Sequence, residues 1–466
     1  MLGSCLASYA ISPAVSRANG YDTAQSTYYI AQSLPRAAQS ASYIAQSPHS
    51  TAQSVRADLP AGQPYILPPD KLRQALVLSV VRPALSFGAE FGQVLLFWIL
   101  LASGMAARLA KAISGRTGNS GWRAGVRALI FSAILLTLLF LVVDLTTDAI
   151  GHAFSLHYGI SIEPWPAWLL DQAKTLGLTV CLEAPAITLA YGLMRWRWSR
   201  KRYWLWFALA SVPVVLLGTF LLPSVIDPLF NHFEPLSQSH PALVEQLERV
   251  VARTGTSIPP QRMFLMKASE KTTGLNAYVT GIGASKRIVV WDTTADRMPT
   301  DEILFTFAHE SGHYVLNHIP QGLAFGCVGI FAFFWASAKL ADLLLRHFGA
   351  QWQVTELASL PGLAVLLLAV SVLQIAAEPI GNAFSRHIEH EADVYGQEAI
   401  HGLVADPQKT AIASFNRLGE AYLDDPNPNA LIVFWTYGHP STQDRAVFAE
   451  HYDPWAPGQT PRFFSK

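Results

Sequence analysis

The segment FGQVLLFWILLASGMAA, which runs from Phe91 to Ala107, contains no charged residue. A helix needs roughly 17–25 mostly apolar residues to cross a bilayer, and this segment meets that requirement. A helix buried in a soluble core usually carries a polar stripe along one side, and this segment has none. The segment therefore predicts a transmembrane helix.

Five further segments have a similar character. They are Ala128–Val143, Thr175–Met194, Tyr203–Ile226, Ile319–Ala338 and Leu357–Ala377. The last three contain no charge, whereas Thr175–Met194 is broken by Glu183 and Pro185, so that a buried core helix remains its alternative. A carboxylate inside a membrane is often functional, and the alternatives for Glu183 are pairing inside the bundle or contact with a water-filled cavity.

The composition of the whole chain supports a membrane protein. Of its 466 residues 14% are charged, against about 25% in ordinary soluble proteins, and 51% are hydrophobic. Acidic and basic residues both number 33, and this balance excludes the basic surface that a nucleic-acid partner would need. Three distant cysteines exclude a disulfide framework and a cysteine zinc finger. We therefore expect a multi-pass integral protein, of a bacterial inner membrane or the endoplasmic reticulum, whose partners include the lipid bilayer and no nucleic acid.

Residues 1–66 differ from the rest of the chain. The tripeptide Ala-Gln-Ser recurs every seven residues, at Ala24, Ala31, Ala38, Ala45 and Ala52. The repeat lacks a second apolar column, and Pro35 and Pro48 interrupt it, so a coiled coil is excluded. Such a composition cannot bury a core and predicts disorder.

The spans divide the remaining chain into four parts. Residues 67–226 hold four spans, and residues 319–377 form a hairpin of two spans between the polar segments 227–318 and 378–466. Because a hairpin returns the chain to the same side of the membrane, both polar segments can form one site. The first contains a β-like stretch at Arg287–Trp291 and a helix from near Thr300, and the second opens with a helix over about 378–400.

The strongest functional signal is the sequence His309-Glu310-Ser311-Gly312-His313. Residues four apart on a helix share a face, so His309 and His313 can bind one metal ion. Glu310 lies beside them and can act as general base on a water molecule at the metal. This arrangement is typical of zinc metallopeptidases. A surface histidine pair on an ordinary helix is the alternative.

A zinc site of this kind needs a third protein ligand. His318 misses the register of a third histidine ligand by one residue, and we expect it to be an exposed residue at the membrane interface. The richest downstream source is the cluster 386–393, in which the competing ligands are His387, Glu389, His390, Glu391 and Asp393. Glu389 and Asp393 share a helix face, so one can bind the metal while the other orients a ligand histidine.

With these residues the chain resembles the type I CAAX prenyl endopeptidases, which are integral-membrane zinc proteases. The resemblance covers about Leu67 to Arg445. Its matching residues are Leu67–Leu72, Pro228–Asn231, Phe233, Pro235, Leu236, Asn276–Tyr278, Lys286–Val289, Asp292–Thr293, His309–His313, Asn382–Asp393, His439–Pro440 and Arg445. The resemblance implies a mainly α multi-pass protein, in which a helical membrane bundle carries a small α+β zinc-peptidase region with a short substrate-binding edge strand.

The same resemblance assigns further roles. It implies one Zn²⁺ per chain with Glu389 as the third ligand and Asp393 behind the ligands. It also implies that Asn276 lies on the edge strand that binds extended peptide, and that His439 and Arg445 approach the substrate carbonyl. From the residues alone each of these three has a structural alternative. Asn276 would end a strand, His439 would be a loop histidine, and Arg445 would pair with Asp444 or Glu450.

We therefore expect a membrane zinc endopeptidase whose substrate is a peptide or protein, including C-terminally prenylated ones. Eukaryotic members of the family carry a further span near the N-terminus, where this chain has its Ala-Gln-Ser repeat. That difference keeps open a quality-control protease of the heat-shock zinc peptidase type. A metal-binding transporter or scaffold is the alternative from another class.

The orientation in the membrane is open at this stage. Two loops between predicted spans, at residues 108–127 and 195–202, each carry five basic residues and no acidic one. The positive-inside rule makes their side cytoplasmic and puts the catalytic segments on the other side. The resemblance implies a cytoplasmic catalytic side instead.

Overall fold

The computed structural model describes residues 64–114, 122–196, 201–221, 225–281 and 286–464. The disorder predicted for residues 1–66 therefore falls almost wholly outside the described residues. Its last three residues do not fit the prediction, because Tyr65 is buried. The Tyr65 hydroxyl donates to the carbonyl of Asp424 over 3.0 Å, and its backbone N–H donates to Gln443.

Long apolar helices form the first half of the described chain. They are α1 (Pro69–Ala102), α2 (Met105–Ser114), α3 (Trp122–Leu139), α4 (Leu145–His157), α5 (Trp165–Arg195) and α6 (Tyr203–Leu221). A π-helical turn, Phe140–Asp144, joins α3 to α4, so the two run as one rod. Pro185 is accommodated inside α5, and Glu183 beside it is buried.

A small sheet with short helices follows. Its elements are α7 (Asp227–Phe230), β1 (Phe233–Pro235), α8 (Leu236–Ser239), α9 (Pro241–Thr254), β2 (Met263–Met266), β3 (Ala277–Thr280), β4 (Arg287–Trp291), α10 (Asp292–Arg297) and α11 (Thr300–Val315). The strand order is β1-β2-β4-β3, with β2 and β4 parallel and the outer pairs antiparallel. The predicted strand at Arg287–Trp291 and the predicted helix start at Thr300 are both confirmed.

The last part contains the two longest helices of the described chain. In order they are α12 (His318–Trp352), α13 (Leu360–Ala399), α14 (Pro407–Tyr422), α15 (Ala430–Thr436) and α16 (Thr442–His451). Across the described residues, five helical segments are long and apolar enough to cross a membrane: α1, the α3–α4 rod, α5, α12 and α13. The remaining predicted span, Tyr203–Ile226, corresponds to the shorter apolar helix at Tyr203–Gly218. The multi-pass helical architecture is thus confirmed.

Two helix boundaries differ from the prediction. The first predicted span ran to Ala107, but α1 ends at Ala102, because Gly104 adopts a left-handed conformation with φ of 70°. The predicted span Leu357–Ala377 and the predicted helix after it are one helix, α13, with Pro379 accommodated inside it. Its 40 residues give a length of about 60 Å, roughly twice the thickness of a bilayer core.

The described chain buries two main apolar cores, and α13 takes part in both. The bundle core joins α1, α3, α5 and α12 around the first half of α13, for example at Phe97, Phe131 and Leu363. The peptidase core joins the sheet, α9, α11 and α14 to the second half of α13, for example at Phe305 and Ala399. The second half of α13 therefore fixes the peptidase region against the membrane bundle.

The described residues that flank the two basic loops lie at the end of the bundle opposite to α11. Residues from the end of α2, the start of α3, the end of α5 and the loop after α12 all pack in the bundle core, and α11 packs in the peptidase core. The basic segments 108–127 and 195–202 fall where α2 is followed by α3 and where α5 is followed by α6. The basic residues that flank these segments and the HESGH motif of α11 therefore lie at opposite ends of the bundle.

Candidate active site

Helix α11 presents both histidines of the HESGH motif on one side. Its apolar residues Phe305 and Ala308 are buried in the peptidase core, and this packing sets the rotation of the helix. His309 is buried and His313 is half-buried, and their Nε2 atoms lie 3.3 Å apart. Glu310 is also half-buried. Spacing of i and i+4 on a helix accounts for this convergence.

Helix α13 supplies two carboxylates to the same place. Oε2 of Glu389 lies 3.2 Å from Nε2 of His309, and its Oε1 lies 3.7 Å from Nε2 of His313. Asp393, one turn further, places Oδ1 2.8 Å from Nδ1 of His309. The two carboxylates therefore face opposite nitrogens of one imidazole ring.

Two glycines allow α11 and α13 to approach this closely. A Cβ atom at Gly396 would lie 3.0 Å from the backbone nitrogen and 3.1 Å from the Cα atom of His309. A Cβ atom at Gly312 would lie 3.0 Å from the ring of Tyr395. The contact at Gly396 involves backbone, which cannot move aside as a flexible side chain can. The position of His309 therefore depends on the absence of a side chain at residue 396.

The donor set fits a divalent metal ion. His309, His313 and Glu389 each offer one ligand atom, and these atoms all lie within 4.8 Å of one another. Bonds of about 2.0 Å in a tetrahedral site place ligand atoms roughly 3.3 Å apart, close to the separations in this group. Among the described residues, Oε2 of Glu389 is buried and has no partner in hydrogen-bonding geometry. A cation between the three side chains would satisfy that oxygen.

Arg445 forms an ion pair with Asp393. Its Nε and Nη2 atoms donate to the two oxygens of Asp393 over 2.9 and 2.6 Å. These two hydrogen bonds hold the guanidinium on Asp393. Arg445 therefore pairs with neither Asp444 nor Glu450, the alternative partners that the sequence offered. Because Asp393 faces His309, the arrangement links Arg445 to His309 through one carboxylate. Bidentate pairs of this kind hold both partners in one orientation.

His439 lies at the open side of the group. Its Nε2 atom is 3.3 Å from Oε2 of Glu389, and its side chain is 52% exposed. Two residues of α13 hold its loop in place, because Asn382 donates to the carbonyl of Trp435 over 2.6 Å and Arg386 donates to that of Tyr437 over 2.6 Å. Sequence reasoning gave no role to Asn382 or Arg386. Their spacing with Glu389 and Asp393 along one face of α13 is the signal that was available.

The prediction that His318 is exposed is wrong. His318 is 2% exposed, and its Nδ1 atom lies 3.0 Å from Nδ1 of His313. The chain leaves α11 through Asn317, which has a positive φ of 60°, and this turn brings the first residue of α12 back against α11. A continuous helix would have pointed residue 318 elsewhere.

Asn276 directly precedes the edge strand β3. Its backbone N–H donates to Thr294 over 2.7 Å, and its carbonyl accepts from Trp291 and Thr294. The hydroxyl of Tyr314 on α11 donates to the carbonyl of Gly281, the residue after β3, over 2.9 Å. The edge strand is therefore tied to the helix that carries Glu310.

The electrostatic environment differs between the two histidines. Burial lowers the pKa of His309, but the carboxylates of Asp393 and Glu389 outweigh that effect and raise the pKa to about 9. Burial, together with the neighbouring His309 and His439, lowers the pKa of His313. Without a metal, His309 is therefore the protonated member of the pair at neutral pH.

An apolar helical bundle that ends in a buried His-His-Glu group beside an edge strand defines an integral-membrane metallopeptidase. The comparisons agree with this class. A family model described as Peptidase family M48 matches residues 237–453, and one described as CAAX prenyl protease N-terminal, five membrane helices, matches residues 51–232. The chain belongs to peptidase family M48 and, within it, to the CAAX prenyl endopeptidase family. It is a multi-pass membrane metalloendopeptidase.

Individual relatives support the same assignment. A Bacillus subtilis protein described as the uncharacterized metalloprotease YhfN is 34% identical over 359 residues, which are 76% of this chain and 80% of that protein. CAAX prenyl protease 1 of Saccharomyces cerevisiae is 25% identical over 68% of this chain and 71% of that protein. The crystal structure of S. mikatae Ste24p matches with a TM-score of 0.68 at 21% identity, covering 83% of this chain and 90% of that one, and shows the same fold.

We expect Gly396→Ala to disturb the metal group, which is the set of donors His309, His313 and Glu389. The added Cβ atom would press on the backbone of His309, and overpacking of this kind costs about 1–3 kcal/mol. We expect a lower melting temperature and weaker metal binding, measured by thermal unfolding and by competition with a chelator. Gly381→Ala is the matched control, because the same helix offers open space there. Equal effects of the two substitutions would contradict the proposed role of the close approach.

We expect metal binding to weaken as the pH falls. Below about pH 9 both ring nitrogens of His309 carry a proton. The proton on Nε2 must leave before a metal can bind there. With Zn²⁺ as the probe, the apparent dissociation constant should fall about tenfold per unit of rising pH between about pH 7 and about pH 8. Chelator competition at several pH values measures this slope. An affinity that stays constant over that range would contradict the assignment.

Proposed function

We propose that His309, His313 and Glu389 hold one zinc ion, and that Glu310 is the general base of peptide hydrolysis. The single observation that carries this proposal is the convergence of two imidazole nitrogens and one buried carboxylate from α11 and α13. Three protein ligands with an open fourth position are the pattern of catalytic rather than structural zinc.

A zinc ion held by these residues would supply electrostatic activation, since it would polarise the scissile carbonyl and lower the pKa of water towards about 7. Glu310 takes a proton from the attacking water and later delivers it to the leaving amine. His439, half-exposed at the open side of the group, donates a hydrogen bond to the carbonyl oxygen as negative charge develops there.

Asp393 and Arg445 act behind the ligands in this proposal. The Asp393 carboxylate accepts the Nδ1 proton of His309 and so keeps Nε2 free for the metal. Arg445 fixes the orientation of Asp393 through its two donors. We therefore assign Arg445 a positioning role, and the direct substrate contact that the resemblance implied becomes a secondary hypothesis.

The edge strand supports binding of an extended peptide. β3 pairs with β4 on one side only, so its other side can accept a further strand. Asn276 stands at the start of that strand, and Tyr314 ties its far end to α11. A substrate added at β3 would run past Glu310, and backbone pairing would hold it with little demand on its side chains.

The natural substrate is the finer part of the proposal. Relatives from several eukaryotes are described as CAAX prenyl proteases, and this supports a C-terminally prenylated peptide. Cleavage of membrane proteins for quality control is the alternative, and both use the same chemistry.

We expect Glu310→Gln to abolish hydrolysis while the metal remains bound. Loss of a general base costs about 10²–10⁴-fold in rate, whereas the amide leaves the two histidines and Glu389 untouched. The measurements are cleavage of a fluorogenic peptide and zinc content of the purified protein. Retained cleavage with a full zinc content would contradict the proposed mechanism.

We expect a farnesylated CAAX-type peptide to be cleaved with a higher kcat/KM than its unprenylated copy. The two peptides share every backbone contact at β3, so the difference isolates the lipid group. The paired assay in detergent, repeated with Glu310→Gln as the blank, measures the ratio. Equal values would favour the quality-control alternative and would leave the metallopeptidase assignment unaffected.

A further inference from the structure

His313 contacts a buried histidine that the proposed mechanism does not use. Its Nε2 atom faces the metal group, and its other nitrogen, Nδ1, lies 3.0 Å from Nδ1 of His318. A hydrogen bond between two ring nitrogens requires one donor and one acceptor. If His313 binds the metal through Nε2, its Nδ1 carries the proton, and Nδ1 of His318 must be the acceptor.

The carboxylate of Glu391 faces the other ring nitrogen of His318. Nε2 of His318 lies 3.4 Å from Oε2 of Glu391. A carboxylate at this distance favours the proton on Nε2, and this leaves Nδ1 free to accept from His313. Glu389 and Glu391 are two residues apart and point to different sides of α13. One helix thus reaches the metal group directly through Glu389 and indirectly through His318.

The far end of this chain of contacts belongs to the C-terminal segment. Nη2 of Arg462 donates to Oε1 of Glu391. The segment itself is anchored, because the buried carboxylate of Glu398 accepts the backbone N–H groups of Arg462, Phe463 and Phe464 over 2.6, 2.7 and 3.1 Å. These three residues lie beyond the end of the match to the peptidase family model, at residue 453.

We infer that His318, Glu391 and Arg462 form a positioning network that fixes the tautomer and orientation of the metal ligand His313, and that the C-terminal segment completes it. The network is the counterpart, for His313, of the Asp393–Arg445 pair that faces His309. It rests on the proposed role of His313 as a metal ligand. Outer contacts of this kind raise metal affinity by holding the ligand ring in place.

The experiment compares zinc dissociation constants of full-length variants by chelator competition. His318→Leu removes the acceptor, and we expect an increase of about 10–100-fold. His318→Asn places a carbonyl oxygen where Nδ1 of the histidine stood, and it should retain most of the affinity. His152→Leu is the control, because His152 is equally buried, stacked on Trp168 and remote from the metal group. It should leave zinc affinity unchanged.

A second pair of variants tests the C-terminal contact. Arg462→Gln removes the partner of Glu391 and should weaken zinc binding in the same direction as His318→Leu, by a smaller factor. Arg253→Gln removes a different contact to the same segment, the guanidinium over the ring of Phe464, and should leave zinc affinity unchanged.

The results distinguish the His318–Glu391–Arg462 network from the metal site on which it rests. Unchanged affinity in His318→Leu, or an equal loss in His318→Asn and His318→Leu, would overturn the network. If His318→Leu does not fold, the Asn and Arg462→Gln variants still decide, since unchanged affinity in Arg462→Gln removes the C-terminal segment from the network. A wild-type protein that binds no zinc would overturn the proposed metal site as well.

Discussion

The close crossing of α11 and α13 is the constraint on which the rest of the site depends. The proposed metal ligands come from segments far apart in sequence, and they converge because neither Gly312 nor Gly396 carries a side chain at the crossing. Glu389 lies two helical turns before Gly396, so any outward shift of α13 at the crossing would move its carboxylate away from His309. Interiors are packed closely enough that such a shift cannot be absorbed locally.

The continuity of α13 transmits this constraint to the whole molecule. Its first half is packed in the bundle core and its second half in the peptidase core. Since α13 belongs to both cores, the membrane bundle and the peptidase region share one rigid helix. The proposed metal ligand Glu389 lies on it near the junction of the two. Arg386 and Asn382 extend the same helix's influence to the loop of His439. A single long helix thus positions groups that arise from three separate parts of the chain.

Local periodicity made part of this structure predictable, and long-range packing made the rest unpredictable. The histidine spacing requires only one turn of helix, and the apolar spans require only composition. The end of the apolar run near residue 377 says nothing about where α13 ends, because a helix can continue from lipid into water without a break in its hydrogen bonds. The burial of His318 depends on the positive φ of Asn317. The Arg445–Asp393 pair joins residues from two helices, and no local pattern indicates it.

The balance of charge explains why two carboxylates and an arginine accompany the histidines of the metal group. Without a metal, the two carboxylates of Glu389 and Asp393 are balanced by Arg445 and by the proton on His309. A divalent ion in place of that proton would leave one excess positive charge among buried groups. The carboxylate of Glu310 lies close enough to act electrostatically on both His313 and Arg445. Because burying an unbalanced charge is costly, the carboxylate of Glu310 beside the proposed ligands would complete the charge balance of an occupied site.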